Sequence, residues 1–296
     1  MDIPTVINFG VIYLLIFGII ATIFFYILYN HVIAKFSKNY DNFIKILRNV
    51  KDNDMNFMNF GYWDEKDINL TEANRRLCDF VIDKADIKHK KFLDIGCGYG
   101  EQDFYWNKKY GYKIDAIDIS KKQISYAKNK SKITENKHVN FLQGDATDLP
   151  FKDKSYHNII CLESAFHYNP RKEFFDESYR ILKDTDSELV IADIVLKNKN
   201  YGFLQSGFVN FFKELLSVPD DNLIVVDEYV KDLQDSGFEV RKFNITDKTF
   251  KPYFTNFIKN HTFSFSIYNK LIQVICNNLE YVPFEYYIFK CKKLKK

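Results

Sequence analysis

Glycine and proline are scarce, eleven and six in 296 residues, so loops are few. With 46% hydrophobic residues nothing indicates disorder, and the length suits one large α/β domain plus an appendage. The five cysteines, Cys78, Cys97, Cys161, Cys276 and Cys291, have no C-x-x-C spacing and no histidine at ligand distance. Neither a zinc site nor a disulfide framework is indicated, no metal is expected, and a reducing compartment fits. Charge of one sign is also lacking. A net charge of +3 with no basic stripe between stacking aromatics speaks against a nucleic-acid partner.

The N-terminus lacks charge altogether from Ile3 to Asn30, and Val11 to Tyr29 is almost wholly apolar. That run approaches the roughly 20 residues an α-helix needs to cross a bilayer. A cleaved signal peptide fits less well, because there is no basic leading region and no small-residue cleavage site. Residues 1–30 are therefore expected to be a single-pass transmembrane anchor. Lys35, Lys38, Lys45 and Arg48 follow it, opposed only by Asp41, which predicts a membrane protein with its catalytic domain on the cytoplasmic side. Residues 31–55 read as an amphipathic connector able to lie on the bilayer, or as an ordinary linker helix.

After a helical stretch over Leu70 to Ile87 comes K-F-L-D-I-G-C-G-Y-G, Lys91 to Gly100, an apolar strand entering a glycine turn. Such a turn admits positive φ and close approach of a ligand, although structural turns and dinucleotide loops share the pattern. The next strand, Lys113 to Ile117, ends at Asp118, where an acid can accept hydrogen bonds from ribose hydroxyls. A further strand, Val139 to Gly144, runs into Asp145 and Ala146.

In this order of motifs the sequence resembles the class I S-adenosylmethionine-dependent methyltransferases, of the small-molecule and lipid group. The resemblance covers about Asn59 to Lys290 and includes N-F-G-Y-W-D, Asn59 to Asp64. It implies S-adenosylmethionine as cofactor. The amino-acid part would lie in the loop of Asp94, Gly96, Gly98 and Gly100, the ribose at Asp118 with Ile119 beside it, and the adenine at Asp145 and Ala146. Tyr62 and Trp63 would help cover the cofactor, and Glu163 would help fix cofactor or substrate. A dehydrogenase would need G-x-G-x-x-G, for which Gly100 falls one residue early. The implied fold is α/β: a doubly wound, seven-stranded, mostly parallel, Rossmann-like sheet over residues 56–296. Aromatic segments at about 200–217 and 250–280 are expected to form a helical cap.

His167, in L-E-S-A-F-H-Y-N-P, follows the fourth strand, and Asp193 lies in V-I-A-D-I near the end of the fifth. A-x-H followed by A-D-x resembles the base and orienting acid of sugar and polyketide O-methyltransferases. His167 is thus the expected base for a hydroxyl acceptor, with Asp193 orienting it. The cap and the anchor together suggest a small hydrophobic or lipid-like acceptor. Carbon methylation of sterol or quinone type, and a silent scaffold retaining the fold, are the rival readings.

Overall fold

The structure, a computed structural model, describes residues 57–65, 68–184, 186–202, 206, 209–210, 213–214, 216–250, 252–253, 255–256 and 284–295. The expected anchor and connector, and most of the segment at 250–280, lie outside these. Among the described residues no helix is long and apolar enough to cross a membrane.

Helix α1 (Leu70–Ala85) opens where the Asn69 side chain accepts from the Glu72 N–H, satisfying an otherwise orphaned donor. Its Ala73, Leu77, Val81 and Ala85 recur at four-residue spacing and form one buried stripe. Then strands and helices alternate: β1 (Lys91–Ile95), α2 (Glu101–Tyr110), β2 (Lys113–Asp118), α3 (Lys121–Ile133), β3 (Val139–Gln143) and β4 (Asn158–Leu162). A 3-10 turn (Ala165–His167) leads to α4 (Arg171–Ile181) and β5 (Glu188–Leu196). Another 3-10 turn (Asp220–Asn222) precedes α5 (Val226–Asp235), β6 (Phe238–Asn244) and β7 (Phe284–Lys293).

The seven strands form one sheet in the order β3-β2-β1-β4-β5-β7-β6. All neighbours pair in parallel except β7, which is antiparallel to both β5 and β6. Buried on both faces, β4 and β5 read as mainly apolar runs, as central strands should, with Asp193 the charged exception inside β5. One face carries α1, α2 and α3 on Phe92, Ile160, Val190 and Ile288. The other carries α4 and α5 on Leu93, Ile159, Ile191 and Phe289. The chain winds outward in opposite directions from β1 and β4, so the crevice past their carboxyl ends is the ligand site of such a sheet.

Candidate active site

The glycine turn leaves β1 at this switch point. Gly96 and Gly98 have φ of +81° and +57°, in the left-handed region, but their surroundings differ. A Cβ on Gly96 would lie 1.9 Å from Ser164 Oγ and 2.6 Å from the Tyr168 hydroxyl oxygen. Those side chains are linked to each other at 2.6 Å, and Ser164 Oγ donates to the Ile95 carbonyl at 3.1 Å. Gly96 is thus required by what packs behind the loop. Among the described residues, a Cβ on Gly98 would have only Met58 Sδ, at 3.7 Å, within 4 Å. Of the two, this is the glycine with room in front of it, where a cofactor could approach the backbone.

Asp118 joins the loop to the next strand end. Its Oδ2 accepts from the Gly98 N–H at 2.9 Å and its Oδ1 from the Ser120 N–H at 2.8 Å. Burial raises its pKa against these two bonds, which favour the ionised form. Each oxygen keeps a second lone pair, so ribose hydroxyls could still be accepted. Beside it Ile119 is 67% exposed, an apolar surface suited to one face of a base. Asp145 is exposed, with Oδ1 holding the Thr147 N–H and hydroxyl, and Ala146 is buried. The expected donor set therefore gathers along the carboxyl edge of β1, β2 and β3.

Below the loop Asp94 is fully buried, and its Oδ2 accepts from Gln102 Nε2 at 3.0 Å, which also reaches the Cys97 carbonyl at 3.3 Å. Asp103, equally buried, lies beside it. Burial pushes both carboxyl groups up, Asp103 further because Asp94 faces it. Two adjacent buried carboxyls do not both ionise cheaply, so Asp103 is the member that keeps a proton. The sequence reading misses Gln102 and Asp103, because an acid in a first helical turn looks like ordinary complementarity to the helix dipole. Cys97 is packed and its thiol pushed up by burial, as expected of a small core side chain.

Of the two aromatics that the resemblance implies help cover the cofactor, Tyr62 is half-buried and Trp63 is buried. Tyr62 stacks on Phe80 at 4.7 Å between centroids, and buried Trp63 donates through Nε1 to the Phe60 carbonyl. Tyr62 is tied to α1 through Phe80 and the Ala73 carbonyl, and Trp63 to the Lys248 carbonyl as well; Met58, unnoticed in the sequence, lies against the glycine loop. Glu163 has φ +52° directly after β4, and its Oε1 accepts from the Phe60 N–H at 2.9 Å and the Tyr286 hydroxyl at 2.7 Å. Burial pushes this carboxyl up to about 8.

His167 ends the 3-10 turn after β4, half-buried, its ring 4.2 Å from that of Phe166. Burial pushes its pKa down to about 4, so the imidazole is neutral around pH 7. The expected His167–Asp193 pair is not what the structure builds. His167 Nδ1 lies 3.3 Å from the Ser217 carbonyl oxygen. Asp193, 0% exposed, faces the other side of the sheet, with Oδ2 held by the Tyr229 hydroxyl at 2.8 Å and Oδ1 by the Ile194 N–H at 2.9 Å. Arg171, 4% exposed, stands 3.7 Å from Oδ2 and 4.3 Å above the Tyr229 ring. Strand alternation is the reason: Val190, Ala192 and Ile194 face α1, and Asp193 must face α5. Asp193 reaches the histidine only at one remove, through the Phe166 backbone. The turn is clamped instead by Asn222, whose Nδ2 donates to the carbonyls of Phe166 and Tyr168 at 3.0 and 2.6 Å. His157, for which no role is expected, lies before β4 against His89 at 4.7 Å, at the opposite edge of the sheet.

A glycine loop with room at Gly98, a backbone-anchored acid at the end of β2 and a neutral histidine after β4 stand together at the switch point of an α/β sheet, an arrangement suited to a nucleoside cofactor and a second reactant. Residues 93–186 match the family model described as a methyltransferase domain. The chain is 29% identical to erythromycin 3''-O-methyltransferase of Saccharopolyspora erythraea over 216 residues, 67% of each chain. It is 30% identical to O-methyltransferase rstn1 of Aspergillus nomiae over 213 residues, 69% of this chain and 88% of that one. A geranyl diphosphate methyltransferase solved in complex with S-adenosylmethionine superposes with a TM-score of 0.67 at 16% identity, over 81% of this chain and 100% of that one. The chain belongs to the class I S-adenosylmethionine-dependent methyltransferases. It is an enzyme of the small-molecule group, with S-adenosylmethionine as its methyl donor.

Proposed function

We propose that the enzyme methylates a hydroxyl oxygen of a small, apolar or lipid-like acceptor, from a membrane to which residues 1–30 anchor it. The observation that carries the oxygen assignment is His167, a neutral imidazole at the end of β4 beside the cofactor crevice. With Nδ1–H donating to the Ser217 carbonyl, Nε2 is the nitrogen that carries the lone pair. S-adenosylmethionine supplies a methyl group on a cationic sulfur, and displacement there depends mainly on alignment. The chain's own part is to take the acceptor's proton at His167 Nε2 and to hold the acceptor in line. The names of the relatives, both O-methyltransferases, support the same reading.

Gly96, Gly98, Gly100 and Asp94 would hold the amino-acid part of the donor, Asp118 and Ile119 the ribose and one face of the base, and Asp145 and Ala146 the base edge. Asp193 serves the scaffold under the histidine turn. The apolar acceptor is supported by the aromatic segments at about 200–217 and 250–280, and the anchor by the uncharged run from Ile3 to Asn30 with its trailing lysines. Incubation of membrane lipid extracts with methyl-labelled S-adenosylmethionine, followed by determination of the product linkage, tests both halves. An O–CH3 in an apolar product is expected. Label on carbon overturns the oxygen assignment, and label confined to water-soluble products overturns the lipid-like acceptor.

A further inference from the structure

Met58 stands where a cofactor contact should, yet it belongs to no motif. Among the described residues its Sδ is the sole atom within 4 Å of a Cβ built on Gly98, and it also lies 3.8 Å from Gln123 Nε2. Gln123 sits in the first turn of α3, where its own N–H is capped by Ser120, the residue whose N–H is held by Asp118. One thioether therefore spans the crevice, from the glycine loop on one wall to the turn of the ribose acid on the other. That crevice is where this sheet topology places a nucleoside.

Among the described residues, the strap around Met58 is held through Asn59 and Phe60, and further along by the Tyr62 N–H on the Ala73 carbonyl and the Trp63 N–H on the Lys248 carbonyl, both at 2.8 Å. The Asn59 side-chain oxygen accepts from the Gly61 N–H and from Asn74 Nδ2, and the Asn59 carbonyl accepts from the same Asn74 nitrogen at 2.5 Å. The Phe60 N–H reaches across to Glu163 at 2.9 Å. Glu163 stands directly after β4, at the end of a central strand, and its second bond, to Tyr286, ties it to β7. The Phe60 ring then meets Phe250, Tyr253 and Tyr286 edge-on at 5.1, 5.0 and 6.4 Å, fixing the strap laterally.

We propose that residues 57–63 form a strap over the cofactor, that Met58 is its contact with the nucleoside, and that Glu163 is a positioning residue latching the strap through the Phe60 N–H. A thioether is apolar and polarizable, with three rotatable bonds, so it can move aside as the cofactor enters and then pack on it. The proposal rests on the glycine loop being the cofactor site. It adds Met58 and Glu163 to the cover that the resemblance assigns to Tyr62 and Trp63.

Calorimetric titration with S-adenosylmethionine and S-adenosylhomocysteine tests it on the full chain and on Met58→Ala, Glu163→Gln, Glu163→Ala and the Met58→Ala/Glu163→Ala double variant. Met58→Ala is expected to weaken both ligands at least fivefold with an unchanged melting temperature. Glu163→Ala should weaken them similarly, while Glu163→Gln, whose amide oxygen still accepts from Phe60, should bind like the parent. The double variant should bind no more weakly than the weaker single one, because both act through one strap. Parent-like binding by Met58→Ala, or losses that multiply in the double variant, would overturn the proposal. Absence of binding by the parent itself would sink the cofactor-site reading instead. Met58 is half-buried in an irregular segment, so its variant decides the matter even if Glu163→Ala does not fold.

Discussion

Alanine at Gly98 and alanine at Gly96 should damage the protein in different ways, although the two glycines stand two residues apart in one loop. At Gly98 the new Cβ meets, among the described residues, only Met58 Sδ at 3.7 Å, an ordinary contact, so the folded state bears little beyond the left-handed φ of +57°. That conformation costs an L-residue about 1–2 kcal/mol. In a domain of this size it lowers the melting temperature by about 2–8 °C. At Gly96 the same backbone cost applies, and the Cβ also falls 1.9 Å from Ser164 Oγ and 2.4 Å from Ser164 Cβ. Rotating the serine cannot relieve the second contact, and the Tyr168 hydroxyl blocks retreat at 2.6 Å. Overpacking of this kind adds about 1–3 kcal/mol, for roughly 2–5 kcal/mol in all. Gly98→Ala should therefore fold and lose cofactor affinity, because its methyl group occupies the approach to the loop. Gly96→Ala should lose stability first. Differential scanning calorimetry with titration of S-adenosylhomocysteine reads both quantities. A folded Gly98→Ala that binds as the parent does would refute the assignment of that face to the cofactor, and equal melting temperatures for the two variants would refute the packing account.

His167→Ala should abolish or greatly reduce turnover while cofactor affinity is retained, and unchanged turnover removes the histidine from the mechanism. Because burial holds His167 down at about 4, the pH profile of kcat/KM should show no limb near 6.5, where an exposed histidine would titrate. Asp193→Asn removes a buried charge that burial disfavours, at the loss of one acceptor oxygen, so its stability should fall less steeply than the parent's between pH 5 and pH 8.5, measured by urea unfolding. Its effect on the affinity for S-adenosylmethionine should be small, and a large one would restore Asp193 to the site. Glu163 is raised to about 8 from an unfolded value near 4.3, so its favourable contribution is complete below about pH 4 and lost as pH rises to 8. Asp193, raised to about 6, acts in the same direction over the lower part of that window. The melting temperature of the cofactor-free protein should fall from pH 5 to 8.5. Glu163→Gln should flatten that fall and exceed the parent above pH 8; a parallel decline in both proteins would contradict it.

Much of the fold was legible because each element carries its own local physics. The strand of Lys91 to Ile95, the positive-φ turn after it and the capped helix at Leu70 are written in residue type and spacing. So were the positions of Asp118, Ile119 and Asp145, since an acid at a strand end needs only the strand boundary. The direction of Asp193 was harder: the strand was found, but its alternation against neighbours decides which face each side chain takes. Its partners Arg171 and Tyr229 come from elements 22 positions before and 36 after it in the chain. Met58, Gln102 and Asp103 were hidden for a different reason. A methionine in an irregular segment, and polar residues in a first helical turn, have ordinary explanations until the loop they touch is folded. The edge strand Phe238–Asn244, half polar and paired only with a strand more than forty residues later, also had no local signature strong enough to locate it.

A crystal structure of the full chain with S-adenosylhomocysteine tests the central claim most directly. The account predicts ribose hydroxyls on the Asp118 carboxylate, the amino-acid part along Gly96 to Gly98, and Met58 in van der Waals contact with the nucleoside. The thioether sulfur should point toward the space in front of His167. A ligand seated elsewhere, or one whose sulfur faces away from His167, would contradict it.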